Sequence, residues 1–314
     1  MSNDRNSRNW RHGLAAASVL ALVSAPHAAA LGTACDKTTQ TLNQACQLSA
    51  RDDQKVGTAI CLNIRDSNAA ARCQDDAQSA FDDALSTCGD MQVVRQLVCR
   101  KLGGDPYDPV IVPSNFVRKI TNPYMPFQPE RWWEYRANLP DGTLERDRVE
   151  VLDDSRVIQG VTVTTVRDRV WMDGELVEDT LDWFAQDKAG NVWYFGEIAK
   201  ELEDGVLVDI DGSWESGRGG GKAGIAIKAV PKIGEYYRQE FDPDNAEDMA
   251  NAVDLDSHDQ VPFRNGNPVL KTHEFSALDP GSDEYKYYEP GVGLLEEVDP
   301  GAGEVLRLVD YGTK

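Results

Sequence analysis

The spacing of apolar positions changes along this chain, from a helical period in its first third to an alternating one afterwards. Between residues 35 and 102, apolar positions recur every three or four residues, which predicts an amphipathic helix. The clearest set is Cys73, Ala77, Phe81, Ala84, Leu85, Cys88, Met91, Val98 and Leu102. From Trp132 onward apolar and polar residues alternate, as in VTVT at 161–164, and predict strands. We therefore expect an α+β protein whose helices precede its sheet.

The six cysteines are placed symmetrically about Ser67. They stand at positions 35, 46, 61, 73, 88 and 99, with gaps of 11, 15, 12, 15 and 11 residues. Gaps of 11 and 15 are close to whole helical turns, so the three cysteines of each half share one face. A chain folded back at Ser67 forms an antiparallel helical hairpin with three disulfide rungs: Cys35–Cys99, Cys46–Cys88 and Cys61–Cys73. The alternative is a three-helix arrangement that breaks near Gly57 and leaves one pair unmatched.

The chain divides where the helical period ends. Glycine and proline in Gly103-Gly104-Asp105-Pro106 are typical of a helix end. Six prolines between residues 103 and 130 then indicate an extended segment. We accordingly predict a signal peptide at 1–30, a disulfide-stapled helical hairpin at 31–102, a Pro-rich connector at 103–130 and an antiparallel β domain at 131–314.

The β domain is predicted to be an up-and-down meander. Asp-Gly pairs at 141–142, 173–174 and 204–205 recur about every 32 residues, with alternating segments between them. This regular spacing places the Asp-Gly turns at one end of the sheet. The expected product is a strongly curved antiparallel sheet or a barrel.

The N-terminus and the charge indicate an exported protein. Three arginines, an apolar run at 13–25 and the small residues Ala28-Ala29-Ala30 match a Sec-type signal peptide cleaved near Ala30. The alternative, a lipoprotein anchored at Cys35, would leave an odd number of cysteines. Paired cysteines suit a secreted or periplasmic protein. No second long apolar run follows, so no transmembrane segment is expected.

The net charge of −21 becomes −23 when residues 1–30, with three Arg and one Asp, are removed. Such a charge disfavours nucleic acid as a partner and favours cationic partners or calcium.

No motif in the sequence identifies an enzyme. His258 and His273 are the only histidines after the signal peptide, and Gly-x-Ser-x-Gly is absent. The glycine-rich run 217–222 lacks the spacing of a phosphate-binding loop. We therefore assign no catalytic residue and favour a non-enzymatic role.

Two weaker candidate sites remain. Calcium is the one candidate cofactor, because it prefers clustered carboxylates, and the candidate ligands are Asp242, Asp244, Asp248, Asp254, Asp256 and Asp259. A further acidic run lies at 209–215. Aromatic residues on the predicted strands could form a ligand-binding face, for which the candidates are Trp183, Trp193, Tyr194 and Trp214.

Several segments resemble an uncharacterised family of exported bacterial proteins with a curved antiparallel β-sheet domain. They are NPYMPFQP (122–129), LVEDTLDWFAQDKAGNVWYFGE (176–197), GSWESG (212–217) and YYEPGVGLLEEV (287–298). The resemblance implies β architecture and a place outside the cytoplasm, and it carries no activity. Because proteins with such sheets often hold apolar ligands in a concavity, it also favours ligand binding by analogy.

The expected function is an exported, non-catalytic binding protein. Its β domain would hold an apolar or amphiphilic ligand, and its helical hairpin would contact a protein partner. One alternative is an extracytoplasmic hydrolase that uses acidic residues. Another is a calcium-stabilised structural protein.

Overall fold

Two long antiparallel helices form the first part of the structure, a computed structural model that describes residues 32–314. Helix α1 spans Ala34–Cys61 and helix α2 spans Ser67–Leu102. The Thr33 hydroxyl accepts a hydrogen bond from the Asp36 amide and the Asp36 carboxylate accepts one in return, so a capping box starts α1. Asp66 caps α2, and Gly103 follows it with a φ of 93°, a conformation that glycine adopts at little cost. The predicted signal peptide lies outside the described residues.

Three disulfides join the helices in the predicted pairing. Cys35–Cys99, Cys46–Cys88 and Cys61–Cys73 have Cα separations of 5.7, 5.8 and 5.5 Å. Helix α1 continues without a break through Gly57, where an added Cβ would lie 3.3 Å from the Ala77 Cβ. Glycine therefore serves close helix packing here, and the three-helix alternative is wrong.

The rest of the structure is a nearly closed antiparallel sheet, preceded by a short 3₁₀ helix at Pro113–Asn115. Its strands are β1 Phe116–Val117, β2 Arg131–Asn138, β3 Leu144–Ile158, β4 Val161–Met172, β5 Glu175–Asp187, β6 Val192–Ile198, β7 Glu201–Glu203, β8 Val206–Asp209, β9 Trp214–Glu215, β10 Lys222–Ile227, β11 Tyr236–Arg238, β12 Glu240–Phe241, β13 Asp248–Asp254, β14 Leu270–Ser276, β15 Glu284–Glu289, β16 Gly293–Asp299 and β17 Glu304–Thr313.

The sheet curves until its first long strand meets its last. Strands β2 to β6 pair in chain order, β10 pairs with β6, and the interrupted strand β11–β12 links β10 to β13. Strands β13 to β17 again pair in order, and β17 pairs with β2. The predicted barrel-like meander is confirmed. Both residues of the 173–174 and 204–205 turns have positive φ, as tight hairpin turns require.

Helix α2 docks on the outside of the sheet through a buried ion pair. Arg95 Nε and Nη2 donate to the two carboxylate oxygens of Glu247 at 2.8 and 2.7 Å, and the two side chains are 4% and 2% exposed. The ammonium of Lys101 lies 4.5 Å from the ring centre of Tyr236 on β11. Within the described residues, neither long helix is apolar enough to cross a membrane.

Candidate functional site

The curved sheet encloses a cavity of about 340 Å³, here called the lumen cavity. Its wall has an apolar part and an acidic part. The apolar part consists of Tyr124, Met125, Phe127, Trp133, Tyr135, Val149, Val166, Phe184, Tyr194, Ala226, Tyr288, Gly293 and Leu294. The acidic part consists of Asp168, Asp182, Glu197, Glu240, Asp248 and Glu274, together with Gln239 and Lys286.

Strand alternation explains why the wall has two parts. Residues two apart on a strand point to the same face, so one strand supplies both an apolar and a charged residue to the cavity. On β5 these are Phe184 and Asp182, and on β15 they are Tyr288 and Lys286. The antiparallel pairing places the charged member toward the same end in each strand, the end that carries the Asp-Gly turns. The cavity is therefore amphiphilic along the barrel axis.

Aromatic rings pack closely in the apolar part. The Phe184 and Tyr194 rings stack with their centres 4.7 Å apart, and Phe127 lies 5.2 Å from Phe184 and 5.7 Å from Trp133. Phe127 belongs to the Pro-rich segment after the helices, so that segment contributes to the cavity wall. Trp133 Nε1 donates to the carbonyl oxygen of Val292 at 2.7 Å, which satisfies its one polar atom.

Two buried carboxylates of the acidic part accept hydrogen bonds from aromatic side chains. The Tyr194 hydroxyl donates to Asp182 at 2.6 Å, and Trp214 Nε1 donates to Glu240 at 2.9 Å. These bonds fix the two carboxyl groups against the wall. They bring no positive charge to the carboxylates.

Burial makes four carboxyl groups of the acidic part difficult to ionise: Asp182, Glu197, Glu240 and Asp248. Burial and, to a lesser extent, the charges of Glu178, Asp248 and Asp168 together raise the pKa of Glu197 to about 7, although a hydrogen bond from Tyr194 opposes the rise. The pKa of Asp182 lies well above its usual value because of burial and the charge of Glu197. Burial also raises the pKa values of Glu240 and Asp248.

Lys286 is the one basic side chain that lines the cavity within residues 32–314. Its ammonium lies 3.2 Å from Glu297, 3.4 Å from Glu274 and 3.5 Å from Glu284. Burial lowers the pKa of Lys286, but these three carboxylates raise it more, so that it stays charged. Lys286 therefore offsets the charge of the carboxylates on its own side of the barrel.

Two neighbouring aspartates have an unpaired buried oxygen. Asp147 on β3 lies two residues from Val149 and so points to the inner face of the sheet, although it does not line the lumen cavity, and it is 7% exposed. Oδ1 of Asp147 and Oδ1 of Asp168 are both buried without a hydrogen-bond partner. Burial and the adjacent Asp168 hold the pKa of Asp147 well above its usual range.

The four predicted ligand-face residues fall in different places. Tyr194 lines the lumen cavity, and the Trp214 ring packs edge-on against the Tyr194 ring with their centres 5.4 Å apart. Trp183 belongs to a second apolar cluster, on the other face of β5. Trp193 packs against Phe116 and its indole donates to Asp187 at 2.9 Å.

The six predicted calcium ligands are likewise spread out. Asp248 lines the cavity, while Asp244 contacts Arg95 and Asp259 contacts Lys271 and Tyr287. The other three engage protein groups: Asp242 accepts from Asn245, Asp254 from the Asp256 amide, and Asp256 pairs with Arg264. In the part of the chain that the structure describes, no three or more His, Cys, Asp or Glu side chains are grouped as metal ligands. Calcium binding stays a prediction.

Neither the two histidines, His258 and His273, nor the glycine-rich loop lines the lumen cavity. The His273 ring contacts the side chains of Asn251 and Asp283 and lies between Phe275 and Tyr285. The loop at 217–222 connects β9 to β10, where the amide of Gly217 donates to the carbonyl oxygen of Gly221 at 2.8 Å.

Comparison with protein-family models, with curated proteins and with solved structures found no match to this chain. The resemblance that the sequence suggested stays an expectation.

Sequence reasoning missed most of the acidic wall, although a signal for it exists. In Asp182-Trp183-Phe184, a carboxylate takes the position that alternation assigns to the same face as an apolar residue. Val166-Arg167-Asp168 repeats this arrangement on the neighbouring strand. A charged residue two positions from an apolar one, inside a long strand, lies on the same face of the sheet as that apolar residue. Such pairs on neighbouring strands predict a polar region inside a barrel.

Proposed function

We propose that this is an exported binding protein whose lumen cavity holds a small amphiphilic ligand. The observation that supports this most directly is the cavity itself, with aromatic and aliphatic side chains at one end and carboxylates at the other. Its volume of about 340 Å³ falls in the range of small-molecule sites. At about 30 Å³ for each water molecule, it would hold a ligand of roughly ten non-hydrogen atoms.

Export accounts for the three disulfides, because such bonds persist in oxidising compartments. A signal peptide at 1–30 and a secreted or periplasmic location are part of the same proposal. N-terminal sequencing of the protein recovered from the periplasm and the culture medium of its host tests them, since a mature chain starting at Leu31 is expected.

Filling the cavity tests ligand binding. Val149 and Val157 lie on the same strand, but Val149 lines the cavity whereas Val157 is 65% exposed. We expect Val149→Phe to abolish binding of 1-octanol in a calorimetric titration. The matched control Val157→Phe should bind like the unsubstituted chain. If Val149→Phe folds and binds 1-octanol with unchanged affinity, the ligand does not occupy the lumen.

The helical hairpin is proposed to contact a protein partner. Val56, Ile60 and Leu62, near the turn between the helices, are 53%, 62% and 72% exposed. A photo-crosslinking residue at position 60 in the living host should yield one discrete adduct, while the same residue at position 157 should not. The absence of any adduct specific to position 60 would remove this part of the proposal.

Acid–base catalysis by buried carboxylates is the second candidate function, and one observation favours it. A carboxyl group with a pKa of about 7, such as Glu197, can donate or accept a proton near neutral pH. Asp182 faces the same cavity as a second carboxyl. Hydrolysis of a nitrophenyl glycoside panel that is lost in Glu197→Gln would support an extracytoplasmic hydrolase. No turnover of any substrate by the unsubstituted chain would count against it.

A calcium-stabilised structural protein is the third candidate. Calorimetric melting with and without chelator tests it, because a bound ion raises the melting temperature. An unchanged melting temperature would exclude a stabilising calcium ion.

A further inference from the structure

We propose that the ligand of the lumen cavity has a cationic nitrogen as its head group, so that it is an amphiphilic amine or ammonium compound. This inference rests on the proposed function and specifies the chemistry of the same site. It depends on the charge balance of the wall, on the unpaired oxygens in it and on the aromatic rings beside it.

The carboxylates on the two faces of the sheet differ in whether a basic side chain is paired with them. On the outer face, Glu150, Asp179 and Glu215 each contact an arginine within 3.1 Å. On the inner face, Asp168, Asp182, Glu197, Glu240 and Asp248 have no basic side chain within 4.0 Å among residues 32–314. Lys286 forms ion pairs with Glu274, Glu284 and Glu297, and its charge also lowers the pKa of Asp248 from a greater distance. Apart from Lys286, the described residues that line the cavity include no basic side chain, whereas these outer-face carboxylates each have an arginine.

The buried Oδ1 atoms of Asp147 and Asp168 have no donor from another residue, and the two carboxyl groups can only share a proton between themselves. A buried acceptor without a partner is unfavourable, and a charged one more so. An ammonium head supplies both N–H donors and positive charge, whereas a hydroxyl supplies one donor without charge. A carboxylate or phosphate head supplies only further negative charge. The wall thus selects against anionic amphiphiles.

The aromatic part of the cavity suits the rest of such a ligand. Rings of Trp133, Tyr135, Phe184, Tyr194 and Tyr288 line the cavity next to the carboxylates. Aromatic faces attract organic cations as well as apolar chains. A metal ion, in contrast, requires several ligand oxygens within a small sphere, and the described residues provide no such group.

Affinity for a cation should also depend on pH. The groups that face Glu197 are Tyr194 on its own strand, Glu178 and Asp182 on β5, Asp168 on β4, Glu240 on β12 and Asp248 on β13. None of these groups is basic, and Lys286, the one basic side chain of the described cavity wall, is paired with Glu274, Glu284 and Glu297. Protonation of Glu197 below a pH of about 7 therefore removes attraction for a cation. A bound ammonium should favour the ionised form, and its affinity should rise with pH.

Three ligands with one eight-carbon tail test the inference: octylamine, 1-octanol and octanoate, titrated calorimetrically into the full mature chain. At pH 8 we expect octylamine to bind at least ten-fold more tightly than 1-octanol, and octanoate to bind most weakly. At pH 5 the preference for octylamine should shrink, although its amine stays protonated, as lysine does. Glu197→Gln and Asp182→Asn should each reduce the preference at pH 8, and the exposed-site control Glu203→Gln should not.

The outcomes separate the two proposals. Equal affinity for all three compounds, or tightest binding of octanoate, would overturn the cationic head group while leaving the lumen as a binding site. Displacement of octylamine by Ca²⁺ alone would also overturn it, in favour of a metal ion. Failure of all three compounds to bind would overturn the proposed function itself. If one substituted chain does not fold, the second carries the test.

Discussion

Replacement of Glu197 by glutamine should stabilise the protein in a pH-dependent way. Glu197 lies among other carboxyl groups, and burial raises its pKa from 4.5 to about 7. A carboxyl whose pKa is raised on folding contributes stability that is fully present below its unfolded pKa and is lost as the pH rises through its folded pKa. Glutamine has a similar shape and remains neutral, so it avoids that loss.

The size of the effect follows from the two pKa values. Each pKa unit corresponds to about 1.4 kcal/mol, so ionising Glu197 at pH 8 costs the folded state about 3 kcal/mol. At pH 5 the loss is less than about 1 kcal/mol. The stability advantage of Glu197→Gln should therefore grow by about 2.5 kcal/mol between pH 5 and pH 8, or roughly 5–10 °C in melting temperature.

Urea denaturation of both chains at pH 5 and pH 8, followed by tryptophan fluorescence, measures this advantage. Glu203→Gln, at an exposed position on β7, is the matched control and should change stability little at either pH. An advantage of equal size at both pH values would refute the reasoning. So would a variant that is less stable than the unsubstituted chain at pH 8, since the buried carboxylate would then have a compensating partner.

Three further changes test the scaffold. Arg95→Met should lower the free energy of unfolding by about 3–5 kcal/mol in urea denaturation, because it leaves Glu247 buried and unpaired, and adding Glu247→Met should recover much of the loss. Gly196→Ala should cost more than about 2 kcal/mol in the same assay, because Gly196 has a φ of 128° and an added Cβ would lie 2.3 Å from a carbonyl oxygen of β9. Replacing Cys61 and Cys73 with serine should cost about 2–4 kcal/mol, seen as earlier melting of the helical circular dichroism signal.

The hairpin could be predicted in detail because its information is local and redundant. Helical period, cysteine spacing and the turn at Ser67 all describe the same structure, and the three disulfides follow from their symmetry. The meander was predictable for a similar reason, because its turns are marked by Asp-Gly pairs. Which strands meet to close the sheet could not be predicted, since the pairing of β17 with β2 joins residues as far apart as Arg131 and Thr313.

The site was harder to predict than the fold. Alternation assigns Trp183 and Phe184 to opposite faces of β5, but it does not say which face the sheet will enclose. That depends on the direction in which the sheet curves, and this direction is determined by strand pairings between residues that are far apart in the sequence. Trp183 accordingly packs on the outer side, while Phe184 and Asp182 face the cavity. Of the six carboxylates predicted as calcium ligands, Asp248 lines the cavity and the other five do not.

The acidic lumen is costly to the fold, and this cost is itself an argument for function. A barrel interior of the same shape with amides or apolar side chains would be more stable at neutral pH. It would avoid the free-energy cost of ionising a buried carboxyl, or of keeping it protonated at a pH where the unfolded chain would release the proton. Natural sequences depart from such local rules mainly where a site requires it. If the carboxyls serve a cationic ligand, Glu197→Gln must both stabilise the free protein at pH 8 and weaken its preference for octylamine over 1-octanol. If Glu197→Gln stabilises the protein but keeps its preference for octylamine, the carboxyl group of Glu197 does not serve to bind a cationic ligand.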